Sequence, residues 1–161
     1  MANTSDKSSD DTAIHRRVAA LRRGEDPTLI ARLSSGWAVF GESQFLRGYS
    51  LLLPDPVVPH LNDFPDMIEG HSAMRAQFLL DLTRLGDALW RATGALRINY
   101  AMFGNVEPAL HAHLIPRYAD EVPELATAQP WAYDWPSAPR FNEHALAPLR
   151  ARLLAALGDT A

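Results

Sequence analysis

The sequence predicts an α+β domain: an antiparallel β-sheet with a long helix on one face and a further helix at the C-terminus. Three observations carry that expectation. Met74, Phe78, Leu82, Leu85 and Leu89 recur at helical spacing and mark one buried stripe. The runs 36–42, 48–54, 96–103 and 109–118 are apolar, aromatic-rich and of strand length. Gly48 lies in the link between the first two runs, and Gly104-Asn105 lies between the last two, so both links have hairpin chemistry.

Taken in order, residues 1–13 are small or polar and predict a disordered tail, with a single domain over 14–161. Ile14, Val18 and Leu21 share a helical face that Gly24 ends. Arg16, Arg17, Arg22 and Arg23 read as its solvated side. GWAVFGE and GYSLLLP then predict a β-hairpin, which Pro54, Pro56 and Pro59 terminate because proline has no ladder donor. The long helix is expected from about Asp66 to Gly94, with Gly70 and Gly86 costing it about 1 kcal/mol each if they are interior. In the next strand, period two sets Leu96, Ile98, Tyr100 and Met102 on one side and Arg97, Asn99, Ala101 and Phe103 on the other. In ALHAHLIPRY it sets Leu110, Ala112 and Leu114 against His111, His113 and Ile115. Leu146, Leu149, Leu153 and Leu157 define the last helix, with Pro148 expected in or near its first turn.

The 161 residues are 47% hydrophobic and 21% charged, which suits one domain. A net charge of -4 and a pI near 5.8 oppose a nucleic-acid polymer as partner. The absence of cysteine excludes a disulfide framework, thiolate zinc sites and a cysteine nucleophile. No run approaches the roughly 18 apolar residues of a membrane span. A soluble cytoplasmic protein without a membrane partner is therefore expected.

Attention falls on the six histidines, above all His111-Ala112-His113 on one strand face, roughly 7 Å apart by strand rise. Three readings fit the pair. Both imidazoles can ligate a metal if further ligands converge, for which His15, His60, His71 and His144 are available by type. One can be a nucleophile or base while the other positions or protonates substrate, since imidazole, with a pKa near 6.5, is unprotonated at neutral pH. Both can be structural side chains on a wet sheet face. The alternating Trp131, Tyr133 and Trp135 can stack a base, cover a site or pack an extended tail. His60, after Pro59, reads as a surface loop residue.

NYAMFGNVEPALHAHLIPRY (99–118) resembles the signature of the histidine triad superfamily, and in particular dinucleoside tetraphosphate hydrolases within it. The resemblance spans residues 28–120 and implies an antiparallel sheet with a nucleotide cleft on the His111/His113 face. It implies that His111 attacks the α-phosphorus of a nucleotide conjugate, a dinucleoside polyphosphate such as diadenosine tetraphosphate or a nucleoside phosphoramidate. A covalent nucleotidyl-histidine is then resolved by water. It assigns His113 to the phosphoryl oxygens or the leaving-group bridge, and Asn99 and Asn105 to the phosphate. It implies no cofactor and no metal in the covalent step, and a homodimer. Two departures stand out. Ala109 occupies the first histidine's place, where the backbone carbonyl remains to hold the nucleophile's protonated nitrogen. Gly41 occupies the ribose-binding position, leaving Glu42 as a substitute and Trp37 and Val39 as base-cleft residues. A non-catalytic nucleotide-binding or scaffolding protein with a degenerate triad is the alternative.

Overall fold

The computed structural model describes residues 11–64 and 72–158. The expected start of the long helix near Asp66, with Gly70 and His71, lies outside them. So do residues 1–10 of the expected tail. Residues 12 and 13, also placed in that tail, belong to the folded domain. Thr12 is buried and its hydroxyl accepts from the His15 N–H, which makes it the N-cap of α1 (Ala13–Arg22).

The chain then runs through β1 (Leu29–Arg32), β2 (Gly36–Phe40) and β3 (Ser50–Pro54). The helix α2 (Ser72–Thr93) is followed by β4 (Arg97–Met102), β5 (Ala112–Arg117), the short α3 (Pro123–Ala126) and α4 (Glu143–Gly158). The five strands form one antiparallel sheet in the order β1-β2-β3-β5-β4. The predicted hairpin forms, with Trp37 opposite Leu53 and Val39 opposite Leu51. Gly48 sits at a φ of 88° and Gly94 at 69°, backbone conformations that favour glycine at a turn and a helix end.

Both faces of the sheet are covered. Ala38, Phe40, Leu52, Leu110, Ala112 and Leu114 pack with Phe78, Leu82, Leu85 and Leu89 of α2 and with Leu146, Leu149 and Leu153 of α4. That places the long helix on the face the strand alternation predicts. Opposite it, Ile14, Val18 and Leu21 of α1 join Val39, Leu51, Leu53 and Ile115. The α2 stripe is anchored by Asp81, whose fully buried carboxylate accepts from the Ser35 N–H and hydroxyl at 2.8 and 2.7 Å. No helix among the described residues is long and apolar enough to cross a membrane.

Three expectations need correction. β1 was not anticipated: its single buried residue, Ile30, gives no alternation to read. Residues 109–111 do not continue β5; the Leu110 N–H instead donates to the Val58 carbonyl at 2.7 Å, drawing the chain off the ladder just before His111. Pro148 lies in the second turn of α4, past the first turn where a missing N–H is harmless.

Candidate active site

The β4–β5 pairing puts Ala101 opposite His113 and Asn99 opposite Ile115, and β3 adds Leu51 opposite His113. These residues share the sheet face away from α2. His113 is therefore fixed by a central strand, and His111 follows from the tight entry into it. Their ring centroids are 4.9 Å apart at 71°. This edge-to-face approach is closer than strand rise alone implies, because His111 has already left the extended strand.

Each imidazole has a partner at Nδ1. The His111 Nδ1–H donates to the Ala109 carbonyl at 2.7 Å, leaving the Nε2 lone pair free. Ala109 itself is fully buried. His113 Nδ1 lies 2.6 Å from the Tyr49 hydroxyl. Burial, aided by the neighbouring His111, pulls the His113 pKa down to about 4, so His113 is neutral at neutral pH.

A pocket of about 500 Å³ opens over the two rings, lined by Phe103, Asn105, Val106, Glu107, His111, His113 and Trp131. Its size is that of a small-molecule site. Asn105 lines the same pocket as the two histidines. The Glu107 carboxylate accepts from the Ala13 N–H and ties the turn to the start of α1. Trp131 stands edge-on to both Phe103, at 4.9 Å, and His113, at 5.7 Å.

Asn99 is on the same sheet face, but its side-chain oxygen accepts from Arg117 at 3.1 Å in a neighbouring cavity of about 790 Å³. The three residues expected at the ribose and base are not brought to the histidines. Val39 is fully buried in the cluster that contains α1. The Trp37 indole donates to Asp55 at 2.9 Å and carries the Arg32 guanidinium over its ring at 4.7 Å. Glu42 is exposed and paired with Arg140 at 3.0 Å. Strand parity gave the face of Trp37 and Val39 correctly, but a helix and an ion pair cover it. Gly41 lies directly under the Tyr49 ring.

Residues 118–135 form the outer wall, and within the alternating Trp131, Tyr133 and Trp135, open to three readings from sequence, Trp131 lines the histidine pocket while Trp135 packs on Phe45. Arg117 is buried and donates to Glu121, Asn99 and the carbonyls of Leu125, Ala126 and Ala128. The Tyr133 hydroxyl donates to Glu121. This network holds the strap that delivers Trp131. Tyr49 was missed as a site residue, although it has the parity of Leu51 and so the face of His113. His60 pairs with Asp63, His15 lies against Thr12, and among the described residues no three His, Asp or Glu side chains converge as a metal-binding group.

Comparison with solved structures decides the architecture. A histidine triad protein from Marinobacter aquaeolei, 21% identical, matches with a TM-score of 0.67 over 93% of this chain and 98% of its own. The chain has the histidine triad fold. A Hit-like protein involved in cell-cycle regulation from Bartonella henselae matches at 16% identity and a TM-score of 0.65, covering 91% of this chain and 96% of that one. A hypothetical histidine triad nucleotide-binding protein from Sulfolobus tokodaii matches at 11% identity and a TM-score of 0.64, covering 88% and 91%. No protein-family model and no curated protein matches the sequence.

Proposed function

We propose that the protein is a nucleotide hydrolase or nucleotidyl transferase acting at the α-phosphate of nucleotide conjugates, through a covalent intermediate on His111. The observation that carries this reading is the hydrogen bond from His111 Nδ1–H to the Ala109 carbonyl. It fixes the tautomer whose lone pair is on Nε2, beside a neutral His113 and inside a ligand-sized pocket.

The chemistry balances with the groups present. The Nε2 lone pair of His111 forms a P–N bond to the α-phosphorus, and the bond from that phosphorus to the bridging atom breaks with its electron pair, a polyphosphate leaving as its anion and a phosphoramidate nitrogen taking a proton from solvent to leave as an amine. His111 then carries positive charge, and the N–H bond to Ala109 becomes charge-assisted. His113 and Asn105, which line the same pocket, supply the donors in this reading for oxygens on which charge develops. Water next attacks phosphorus, the P–N electrons return to Nε2, and the water's proton passes to solvent. The nucleoside monophosphate is released. Because the carbonyl at 109 already holds His111, this step does not depend on a side chain at that position.

Homodimerisation belongs to the same proposal. Leu79, Leu80 and Trp90 on α2, Leu96 just before the edge strand β4, and Tyr100 and Met102 within it are exposed apolar side chains that a second copy would cover.

Turnover of diadenosine tetraphosphate and adenosine phosphoramidate in excess chelator tests the reaction. The expected result is release of AMP by the parent and a loss of at least about 100-fold in His111→Ala, about 2.7 kcal/mol of transition-state stabilisation. Equal and negligible rates for both proteins would overturn the hydrolase reading for these substrates.

A further inference from the structure

We infer that Tyr49 is a positioning residue of this site, whose hydroxyl proton, donated to His113 Nδ1, fixes His113 with its own proton on Nε2. The inference builds on the reading of His111 as nucleophile and names the residue that sets the proton arrangement opposite it. It rests first on geometry. The Tyr49 oxygen is 2.6 Å from His113 Nδ1, and the two rings lie nearly parallel, 11° apart at 5.9 Å. Tyr49 is 3% exposed, and among the described residues His113 is the hydroxyl's hydrogen-bond partner.

The proton's position follows by elimination. A buried O–H without an acceptor costs about 1–3 kcal/mol. If His113 donated from Nδ1 to the phenol oxygen, the phenol proton would be in that situation. Burial raises the Tyr49 pKa above its ordinary value, so the phenol keeps that proton at neutral pH. A neutral imidazole has one N–H. With Nδ1 accepting from Tyr49, that N–H is on Nε2, the nitrogen left without the tyrosine. The two histidines are thus held in opposite tautomers: lone pair on His111 Nε2, proton on His113 Nε2. A nucleophile and a hydrogen-bond donor for the phosphoryl oxygen or bridging atom then face one pocket.

The sequence is arranged to hold the tyrosine there. A Cβ on Gly41 would lie 2.2 Å from the ring atoms Cδ1 and Cε1 of Tyr49, so glycine is what lets the ring pass. The Gly41 N–H donates to the Tyr49 carbonyl at 2.9 Å, and the Tyr49 N–H donates to the Leu46 carbonyl at 3.0 Å. Phe45 at 5.0 Å and Trp135 at 5.3 Å close the other sides of the ring.

The test is the nitrogen-15 spectrum of the histidine side chains at neutral pH, in the unmodified protein and in Tyr49→Phe, together with steady-state kinetics of both on adenosine phosphoramidate. The unmodified protein is expected to show His113 protonated at Nε2 and His111 protonated at Nδ1. A His113 proton on Nδ1 would overturn the inference without any variant. In Tyr49→Phe, His113 is expected to sample both tautomers, and kcat to fall about 10-fold or more with KM changed less. An unchanged His113 tautomer in that variant would also overturn it. If neither protein turns over substrate yet the tautomer shifts, the nucleotidyl-transfer reading fails and the positioning role of Tyr49 stands.

Discussion

Placing a histidine at position 109, where the resemblance puts the first of the three, tests how the site works with a backbone carbonyl there. Ala109 is fully buried in the cluster that holds Ile14, Val18, Leu46 and Ile115, so its methyl group occupies space an imidazole exceeds. Its carbonyl already performs the orienting role toward His111. Ala109→His is therefore expected to overpack the site, at a cost of about 1–3 kcal/mol, without raising turnover. Urea unfolding and AMP release measured on the same preparation check both halves. Recovery of activity at unchanged stability would mean that the missing side chain, and not its carbonyl, matters. Residue by residue, spacing revealed the shared sheet face of His111 and His113, and Asn105, which the resemblance alone put at the phosphate, lines the same pocket. Spacing did not reveal what covers a residue. Trp37 and Val39 have the parity of the cleft face, yet α1 and the Asp55 side chain occupy the space before them. Tyr49 has that same parity and does reach the site, through the gap that Gly41 leaves.

Among elements, the strap over 118–135 shows the limit of periodicity most clearly. The long helix and the hairpin were legible because repeated burial at 3.6 or 2 residues leaves a repeated apolar pattern. The strap's one alternation, Trp131, Tyr133 and Trp135, marks no strand, since Pro130–Ala132 is a 3-10 turn, and Arg117 organises the part before it. Arg117 donates to a carboxylate, an amide and three carbonyls, which no composition rule identifies in advance. Its side chain and that of Glu121 are 8% and 3% exposed, so removing the guanidinium would leave a buried carboxylate without its cation, held by the Tyr118 N–H and the Tyr133 hydroxyl. Arg117→Met is expected to cost about 3–5 kcal/mol, the range for breaking a buried pair from one side. Because the strap carries Trp131 into the wall of the histidine pocket, tryptophan emission should shift to the red while the far-ultraviolet dichroism of the sheet is retained. Full retention of both stability and emission would show that the strap is held by its aromatic contacts instead, Phe45 with Trp135 at 4.0 Å foremost.

For the whole molecule, the proton inventory sets how stability responds to acid, in two stages. His113 comes first. Its folded pKa is near 4, below the 6.5 or so of an exposed histidine, because burial and the adjacent His111 oppose its charge. Between those values the unfolded chain binds a proton that the folded chain refuses, so stability must fall as the pH drops from about 6.5 toward 4. The carboxylates act below that window. Asp55 is held down by the hydrogen bond from Arg22. Burial raises Asp26 and Glu121, but the bonds to Asp26 from Thr28 and Arg17, and to Glu121 from Arg117 and Tyr133, outweigh it and leave both below the ordinary range. Their stabilising effect is present above their unfolded pKa values and is lost as the pH falls through the folded ones. Urea midpoints measured at several values between pH 7.5 and 3 should therefore decline in two steps. His113→Asn, which cannot titrate, should flatten the first step and leave the second. A first step of undiminished size in that variant would assign it to another group and remove the basis for a neutral His113 at the centre of the site.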